Sequence, residues 1–223
     1  MRWDVHRFAE IDSTNTWLTA RAGGGAPEGT VAVADLQTAG RGRLGRSWEA
    51  PPGANLLCSV LLRPDRVSHL VVACVSLAAL DACRATAGIE AGLKWPNDVM
   101  VQDEKLAGVL AEVADGAVVV GIGINVGWAP PGAARLGAGV SRDDVLRHLL
   151  EGIERWYEAG WDEIARGYRN ACVTLNRAVR VEMADETFTG VAADVTAEGH
   201  LLVDVGVCTR EVAAADVVHL RPA

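Results

Sequence analysis

The chain has 223 residues, a formal net charge of -8 at pH 7 and an apolar content of 50%. This is enough apolar material for a buried core in one large domain, or in a large and a small one. Because a general nucleic-acid-binding protein carries a basic face, the acidity argues against that class, and we expect no nucleic acid partner. The five cysteines and five histidines show neither CxxC nor HExxH spacing. We therefore expect reduced, buried or incidental thiols and no structural zinc.

Neither a secretion signal nor a membrane span is evident in the sequence. The first ten residues lack an apolar h-region and a small-residue cleavage site. The most apolar segment, residues 70–80, is about half as long as the ~20 residues that cross a bilayer. We interpret it as part of a core helix that Ser68 caps and that runs to about Ala87. These features predict a cytoplasmic protein without a membrane partner.

The N-terminal part alternates between strand and helix patterns. A short strand is predicted at residues 5–8, followed by a helix that Ser13 caps and that glycines 23–25 end. β-branched and apolar runs predict strands at 30–36 and 54–62, on either side of a long polar loop. The loop between these two strands is therefore held by a sheet at both ends.

The middle of the chain predicts further strands. Strand pieces are expected at 93–95 and 99–101, on either side of Pro96, which forces a local irregularity. A strand at 105–113 then returns through an Asp-Gly hairpin turn to a buried strand at 117–126. These strands bring the polar residues between them close together.

Two helices and a small β-domain are predicted in the last third of the chain. A capping box at Ser141–Asp144 starts a helix to about Ala159, and a second helix covers 161–171. Short strand patterns after Leu175, separated by acidic and glycine turns, predict a small β-barrel. We place the domain boundary between residues 1–173 and 174–223. Four aromatic residues are expected in the core: Trp156, Tyr157, Trp161 and Tyr168.

The long loop GRGRLGRSW, residues 40–48, is locally cationic in an acidic protein. Glycines allow the backbone to approach a ligand closely, and arginines offer forked donors to carboxylate or phosphate. Trp48 adds a flat face on which a purine could stack. We interpret the loop as an anion-binding site, although a mobile, solvated basic loop would show the same pattern.

Other polar residues are candidates for the same ligands. Lys94 and Lys105 could both face an anion, and Asp98 could hold a metal through its oxygens, although surface ion pairing would also explain them. Asn125 offers an amide that could recognise an adenine edge. The Ser13–Asn15 segment either binds a polar ligand head or only caps its helix.

The candidate site residues do not include the nucleophile and base that covalent catalysis requires. No Ser-His-Asp or Cys-His arrangement is recognisable, whereas the cations suit two anions that must meet. A carboxylate that attacks the α-phosphate of ATP needs neutralisation and positioning more than it needs a protein nucleophile. Adenylation with Mg²⁺ is the simplest reaction class that these residues suggest.

Five motifs, in this order and spacing, resemble those of the biotin protein ligases. They are DSTN (12–15), QTAGRGRLGRSW (37–48), KWPNDV (94–99), KLAGVLAE (105–112) and GIGINV (121–126). The resemblance covers essentially the whole chain. It implies an α+β fold: a mixed-sheet catalytic domain related to class II aminoacyl-tRNA synthetases, followed by an SH3-like barrel. Such enzymes adenylate biotin with ATP and pass the biotinyl group to one lysine of a biotin carboxyl carrier protein.

The resemblance also implies residue roles. Lys105, Arg43 and Asp98 would be catalytic, with Lys105 polarising the biotinyl carbonyl and Asp98 serving the metal. The biotin site would comprise Ser13, Thr14, Asn15, Gln37, Gly40, Arg41, Gly42, Arg43, Lys105 and Gly108. ATP and the adenylate would contact Arg41, Arg43, Arg46, Trp48, Lys94, Asn97 and Asn125.

Two further interpretations stay open at this point. A lipoate or octanoate ligase shares the catalytic fold, although the GRGRxGRxW loop favours biotin. A sensor that binds biotin or a nucleotide without turnover is the non-enzymatic alternative, which intact Lys105 and Asp98 disfavour. Because the catalytic motifs start within about ten residues of Met1, we expect a ligase without an operator-binding domain. The oligomeric state, monomer or homodimer, is left open.

Overall fold

The computed structural model describes residues 1–220, and its largest element is a seven-stranded mixed sheet. The strands are β1 (Asp4–Ile11), β2 (Thr30–Gln37), β3 (Leu56–Leu62), β4 (Gly92–Lys94), β5 (Asp98–Val101), β6 (Glu104–Ala114) and β7 (Ala117–Ile124). Their order across the sheet is β1-β2-β3-β7-β6-β5-β4. Only β1 and β2 are parallel, and the other neighbours are antiparallel. The predicted mixed sheet is confirmed.

The described residues contain four α-helices. They are α1 (Thr14–Gly23), α2 (Leu70–Ala87), α3 (Arg142–Ala159) and α4 (Trp161–Ala171). Of these, α1 and α2 pack directly on this sheet, and α3 and α4 pack mainly on α2. The side chains of Ser13 and Ser141 accept backbone N–H groups at the starts of α1 and α3, as the sequence predicts. The predicted cap of α2 is wrong by one residue, because His69 occupies the N-cap position. Ser68 instead accepts the Leu70 N–H with its hydroxyl at 3.2 Å.

The two faces of the sheet differ because strand residues alternate between them. On β3 and β7, Cys58, Val60, Ile122 and Ile124 join the main core that α2 completes. Their neighbours Ser59, Gly121 and Gly123 point to the opposite face. There α1 covers only a small apolar cluster: Leu18, Ala22, Leu61, Ala117 and Val119. The rest of that face has no covering helix.

Helix α2 is the central helix of the main core. Within residues 1–220 it alone is long and apolar enough to cross a membrane by length and composition. Yet 61% of its most apolar window is buried inside the protein, and its main helical neighbour is α3. A buried core helix passes the same test of length and composition, so we interpret α2 as the predicted core helix.

The prediction that four aromatic residues of α3 and α4 lie in the core is correct for only one of them. Tyr168 is buried, as predicted, but Trp156, Tyr157 and Trp161 are half-buried. Their polar atoms explain this position. The indole nitrogens of Trp156 and Trp161 donate to Asp81 and Asp65, both at 2.8 Å. A ring with a polar edge is stable at the boundary between core and solvent.

The C-terminal part forms a second, antiparallel sheet of five strands. They are β8 (Ala178–Glu182), β9 (Thr187–Val195), β10 (Leu201–Asp204), β11 (Thr209–Val212) and β12 (Asp216–His219), in the order β11-β10-β9-β8-β12. Within the described residues β11 and β12 do not pair, so the predicted barrel is not closed. Only three residues separate these two edge strands, which requires strong curvature, since a flat five-stranded sheet would hold them about 19 Å apart.

The two sheets meet around Trp95. Its indole nitrogen donates to the carbonyl of Gly199 at 2.9 Å, and its backbone N–H donates to the Thr174 hydroxyl at 3.0 Å. The Trp95–Pro96 peptide bond is cis. His69 lies beside this contact, with its ring near those of Trp95 and Tyr168. Burial lowers the pKa of His69 to about 4.

All five cysteines are free, in agreement with the sequence. Cys58, Cys74, Cys83 and Cys172 are buried, and Cys208 is exposed. Burial in the main core raises the pKa of Cys58 to about 12, so this thiol stays protonated at neutral pH.

Candidate functional site

A cavity of about 640 Å³ lies on the uncovered face of the large sheet. Its floor is made of glycine. Gly108 on β6 is paired with Gly123 on β7, and Gly121 is paired with Leu110 and Ser59 on the neighbouring strands. Because the GIGI segment alternates, its isoleucines enter the core while its glycines leave the opposite face bare. The cavity therefore follows directly from that alternation.

Nearly all predicted site residues line this cavity. They are Ser13, Thr14, Asn15, Gln37, Arg41, Gly42, Arg43, Arg46, Trp48, Lys94, Asn97, Asp98, Lys105, Gly108 and Asn125. Gly40 is the exception, because it is buried beneath Trp48 and is absent from the lining. Its carbonyl accepts the Trp48 N–H at 2.9 Å, and a Cβ there would lie 2.3 Å from the Trp48 carbonyl oxygen. The structure therefore gives Gly40 a packing role.

One end of the cavity is a neutral hydrogen-bonding cluster at the start of α1. The backbone N–H and the hydroxyl of Thr14 both donate to the Gln37 amide oxygen, at 2.8 and 2.9 Å. Beneath them, the buried Ser59 hydroxyl lies 2.7 Å from Thr14 Oγ1 and 2.6 Å from Asn15 Oδ1. The helix N-terminus thus serves both as a cap and as a lining of polar groups.

Asn15 and Arg41 are joined through Glu112 on β6. The Asn15 amide nitrogen donates to Glu112 at 2.8 Å and to the Leu110 carbonyl at 3.2 Å. Arg41 forms an ion pair with the same carboxylate at 2.7 Å. Asn15 also lies directly over Gly121, where a Cβ would stand 2.3 Å from its amide oxygen.

The centre of the cavity contains Lys105, Asp98 and Trp48. Lys105 Nζ lies 2.6 Å from Asp98 Oδ1 and 5.5 Å from the centroid of the Trp48 ring. The indole rests on the glycine floor, because a Cβ at Gly123 would be 2.4 Å from it and one at Gly108 would be 3.1 Å from it. Its nitrogen is buried and has no partner in the described part of the chain.

The C-terminal sheet closes the cationic side of the cavity. Arg43 and Arg46 both pair with Asp216 at the start of β12, and the Arg43 distance is 3.7 Å. Arg43 also donates to the Ala215 carbonyl at 3.1 Å and to the Asn97 amide oxygen at 3.2 Å. Burial lowers the pKa of the Arg43 guanidinium. The Gly/Arg loop is therefore held between the two sheets.

Lys94 differs from the other cavity cations. Of the residues that the structure describes, none forms a salt bridge with its ammonium. Its pKa is lowered, mainly by burial, and the nearby Lys105 and Arg46 act in the same direction while Asp98 opposes them. A half-buried ammonium without a paired carboxylate is stabilised by a bound anion.

The predicted metal ligand Asp98 has no companion ligands. Residues 1–220 contain no group of three or more His, Cys, Asp or Glu side chains arranged to hold a metal ion. Asp98 is instead paired with Lys105. These donors do not fit a resident metal. Mg²⁺ binds through one or two carboxylates and substrate phosphates, so it would enter here with a polyphosphate ligand.

Several residues of the site were missed from the sequence: Asn55, Ser59, Glu112 and Asp216. The alternation of side chains along residues 55–59 (NLLCS) would have predicted that Ser59 lies on the same face of the sheet as Gly121 and Gly123. Asp216 gives no local signal, since it reaches the site only through the packing of the second sheet.

The mixed sheet and the appended antiparallel sheet share one cavity with a neutral and a cationic end. Such a cavity suits a polar molecule together with a polyanion. The chain belongs to the biotin/lipoate A/B protein ligase family, whose model matches residues 8–128. The model of the biotin protein ligase C-terminal domain matches residues 174–220.

Individual relatives agree with this assignment. The chain is 41% identical to a biotin–[acetyl-CoA-carboxylase] ligase of Mycobacterium tuberculosis, over 96% of this chain and 88% of that protein. It is 30% identical to a bifunctional ligase/repressor of Bacillus spizizenii, over 93% of this chain and 71% of the relative. Among solved structures, the Aquifex aeolicus biotin protein ligase in complex with biotin and ATP superposes with a TM-score of 0.85 at 28% identity, covering 98% and 99% of the two chains.

Proposed function

We propose that this protein is an ATP-dependent ligase that activates biotin as biotinyl-5'-AMP and transfers the biotinyl group to a lysine of a biotin carboxyl carrier protein. Family membership and the named relatives support the chemistry. The observation that carries the proposal is the single cavity in which a neutral hydrogen-bonding end meets a cationic end at Lys105. An uncharged bicyclic ring and a carboxylate at the end of its chain fit these two environments.

The neutral end is the proposed site of the biotin ring system. Thr14 and Gln37 form one hydrogen-bonded unit, and Ser13 and Asn15 complete the lining. Gly42 and Gly108 line the proposed path of the acyl chain, which requires the Trp48 indole to move off Gly108, and Gly40 supports the loop from below. A tight hydrogen-bonding array of this kind selects a ligand whose polar atoms match it.

The cationic end is the proposed site of MgATP. Trp48 would stack on adenine, which requires the indole to leave the glycine floor or to accept the base against its other face. Lys94, Arg43 and Arg46 would neutralise the phosphates, with Asn97 fixing Arg43. Mg²⁺ would enter as part of the substrate, and Asp98 is the carboxylate that we propose would hold it.

In the first reaction, a biotin carboxylate oxygen attacks the α-phosphorus, and the bond from that phosphorus to the bridging oxygen breaks to release pyrophosphate. Three cations, Arg41, Arg43 and Lys105, line the cavity where the two anions meet. Their charge lowers the repulsion between the reactants and stabilises the transition state.

In the second reaction, the neutral amine of the carrier lysine attacks the acyl carbonyl, an amide forms and AMP leaves. Lys105 would polarise that carbonyl and stabilise its developing negative charge. No protein nucleophile is needed, because the adenylate already activates the acyl group.

We also propose a division of the chain into residues 1–173 and 174–223 and a cytoplasmic location. The carrier protein would be the macromolecular partner, with no nucleic acid or membrane partner. A monomer or a homodimer is compatible with these assignments.

The test is pyrophosphate release from MgATP with biotin, lipoate, octanoate or no acid. We expect pyrophosphate release when biotin is added, and none with lipoate, octanoate or no acid. Release with lipoate or octanoate but not with biotin would identify that acid as the substrate in place of biotin. No release with any acid would favour a protein that binds its ligand without turnover.

A further inference from the structure

The buried residue Asn55 lies just before β3 and next to Asn125, which follows β7. Its side chain is 0% exposed. Its amide oxygen accepts two backbone N–H groups, from Val126 at 3.0 Å and from Trp128 at 3.2 Å. Because a backbone N–H can only donate, these two contacts fix which end of the amide is oxygen. The Asn55 amide nitrogen must therefore face the other way.

Asn55 fixes the amide of Asn125 from one side, and two backbone carbonyls fix it from the other. The Asn55 amide nitrogen donates to Asn125 Oδ1 at 3.2 Å. On its other side, Asn125 Nδ2 donates to the carbonyls of Ala134 at 3.0 Å and Lys105 at 3.4 Å. Both hydrogens of the Asn125 amide nitrogen are thereby used inside the protein. An amide oxygen has two lone pairs, so Asn125 Oδ1 keeps one acceptor position.

The free acceptor matters because Asn125 lines the ligand cavity. An acceptor can bind the exocyclic amino group of a 6-aminopurine. It repels the carbonyl oxygen of a 6-oxopurine, since neither oxygen carries a hydrogen. With its oxygen as the free acceptor, the Asn125 amide thus favours adenine over hypoxanthine or guanine.

We propose that Asn55 is a specificity-determining positioning residue: together with the carbonyls of Lys105 and Ala134, it fixes the amide orientation of Asn125 so that the nucleotide site accepts a 6-aminopurine and rejects a 6-oxopurine. This inference rests on the proposed function, in which ATP binds in the cavity. Asn55 acts only through Asn125 and does not touch the base itself.

The first experiment uses the wild-type chain and three nucleotides. Biotin-dependent pyrophosphate release is measured with ATP, with purine riboside triphosphate, which lacks the 6-amino group, and with ITP, which carries a 6-oxo group. We expect kcat/KM to fall about tenfold on loss of the amino group and by at least about 10²-fold for the 6-oxo compound. Equal rates with ATP and ITP would overturn the inference alone, whereas no turnover with any nucleotide would overturn the proposed function and the inference with it.

The second experiment changes Asn55 itself. In Asn55→Asp the carboxylate keeps the two backbone contacts but cannot donate to Asn125 Oδ1 and repels it. The Asn125 amide must then turn over, against the carbonyls of Ala134 and Lys105, or move away, and in both cases its acceptor is no longer fixed toward the base. We expect the ratio of kcat/KM for ATP to that for ITP to fall at least about tenfold. Ser76→Ala is the control, since Ser76 is equally buried but donates to the Val72 carbonyl within α2.

Folding is checked by thermal unfolding and by biotin binding. If Asn55→Asp does not fold, Asn55→Ala replaces it, and the freed Asn125 amide should lower the ratio by a smaller factor. A folded variant that binds biotin and keeps the wild-type ATP to ITP ratio within about twofold would overturn the role of Asn55.

Discussion

Lys105 Nζ and Asp98 Oδ1 lie 2.6 Å apart in the centre of the ligand cavity. The same arrangement recurs around the cavity, where Arg41 pairs with Glu112, and Arg43 and Arg46 pair with Asp216. These protein carboxylates hold the cavity cations in place without a ligand. The carboxylate or phosphate of an incoming ligand must therefore join or displace them. The competition between protein carboxylates and ligand anions for the same cations contributes to the ligand affinity.

The central position of Lys105 predicts a specific kinetic defect. Lys105→Ala should slow adenylate formation by about 10²- to 10³-fold, because the cation acts on charge that develops in the reaction. The dissociation constant of biotin should change by less than about tenfold, because the ring system binds at the other end of the cavity. Single-turnover adenylation and equilibrium binding measure the two effects. Arg147→Ala on the exposed face of α3 is the control, and equal adenylation rates in Lys105→Ala and wild type would refute the role.

The glycine floor predicts that one added methyl group abolishes the biotin site. In Gly121→Ala the new Cβ would be 2.3 Å from Asn15 Oδ1, so Asn15 and its contact with Glu112 must move. We expect biotin affinity to fall by at least about tenfold, with the protein still folded. Gly24→Ala is the matched control, because its Cβ would meet nothing closer than 3.4 Å. Calorimetric titration that finds wild-type affinity in Gly121→Ala would contradict the proposed geometry.

Asp216 predicts that the second sheet controls the Gly/Arg loop. Asp216→Asn removes the charge that Arg43 and Arg46 share. Hydrogen exchange in residues 41–48 should become faster in this variant, and biotin plus MgATP should slow exchange there in the wild type. Glu198→Gln, an exposed change in the turn between β9 and β10, should leave exchange in the loop unaltered. If both ligands leave wild-type exchange unchanged, the loop does not close on them.

Two partly buried histidines predict acid sensitivity at the contact between the sheets. Burial lowers the pKa values of His69 and His219 to about 4, from the ordinary 6.5. Between these values the unfolded chain binds more protons than the folded one, so stability is full above about pH 6.5 and is lost as pH falls toward 4. His69→Phe should make the decline in Tm between pH 6.5 and 4 shallower. His6→Gln, at an exposed position, is the control, and an unchanged slope in His69→Phe would exclude His69 as a source.

The sequence predicted those parts of the molecule that depend on local patterns. The capping residues Ser13 and Ser141 and the strand alternation around GIGI were recognisable, and nearly all the site residues that the motifs predicted line one cavity. Features that depend on packing between distant segments were not. Asp216 lies 170 residues from Arg46 in the chain, and no spacing rule links them. Asn125 was recognised as a candidate, but the orientation of its amide became apparent only from Asn55.

The most direct test of the whole account is transfer of biotin to a carrier domain. The purified chain is incubated with MgATP, biotin and a biotin carboxyl carrier domain, and the intact mass of the carrier is measured beside a variant in which arginine replaces its acceptor lysine. The account predicts one biotinyl group on the wild-type carrier and none on the variant, with no modification when ATP is omitted. An unmodified wild-type carrier, in a reaction where the carrier is folded and an unrelated biotin ligase modifies it, would contradict the proposed function.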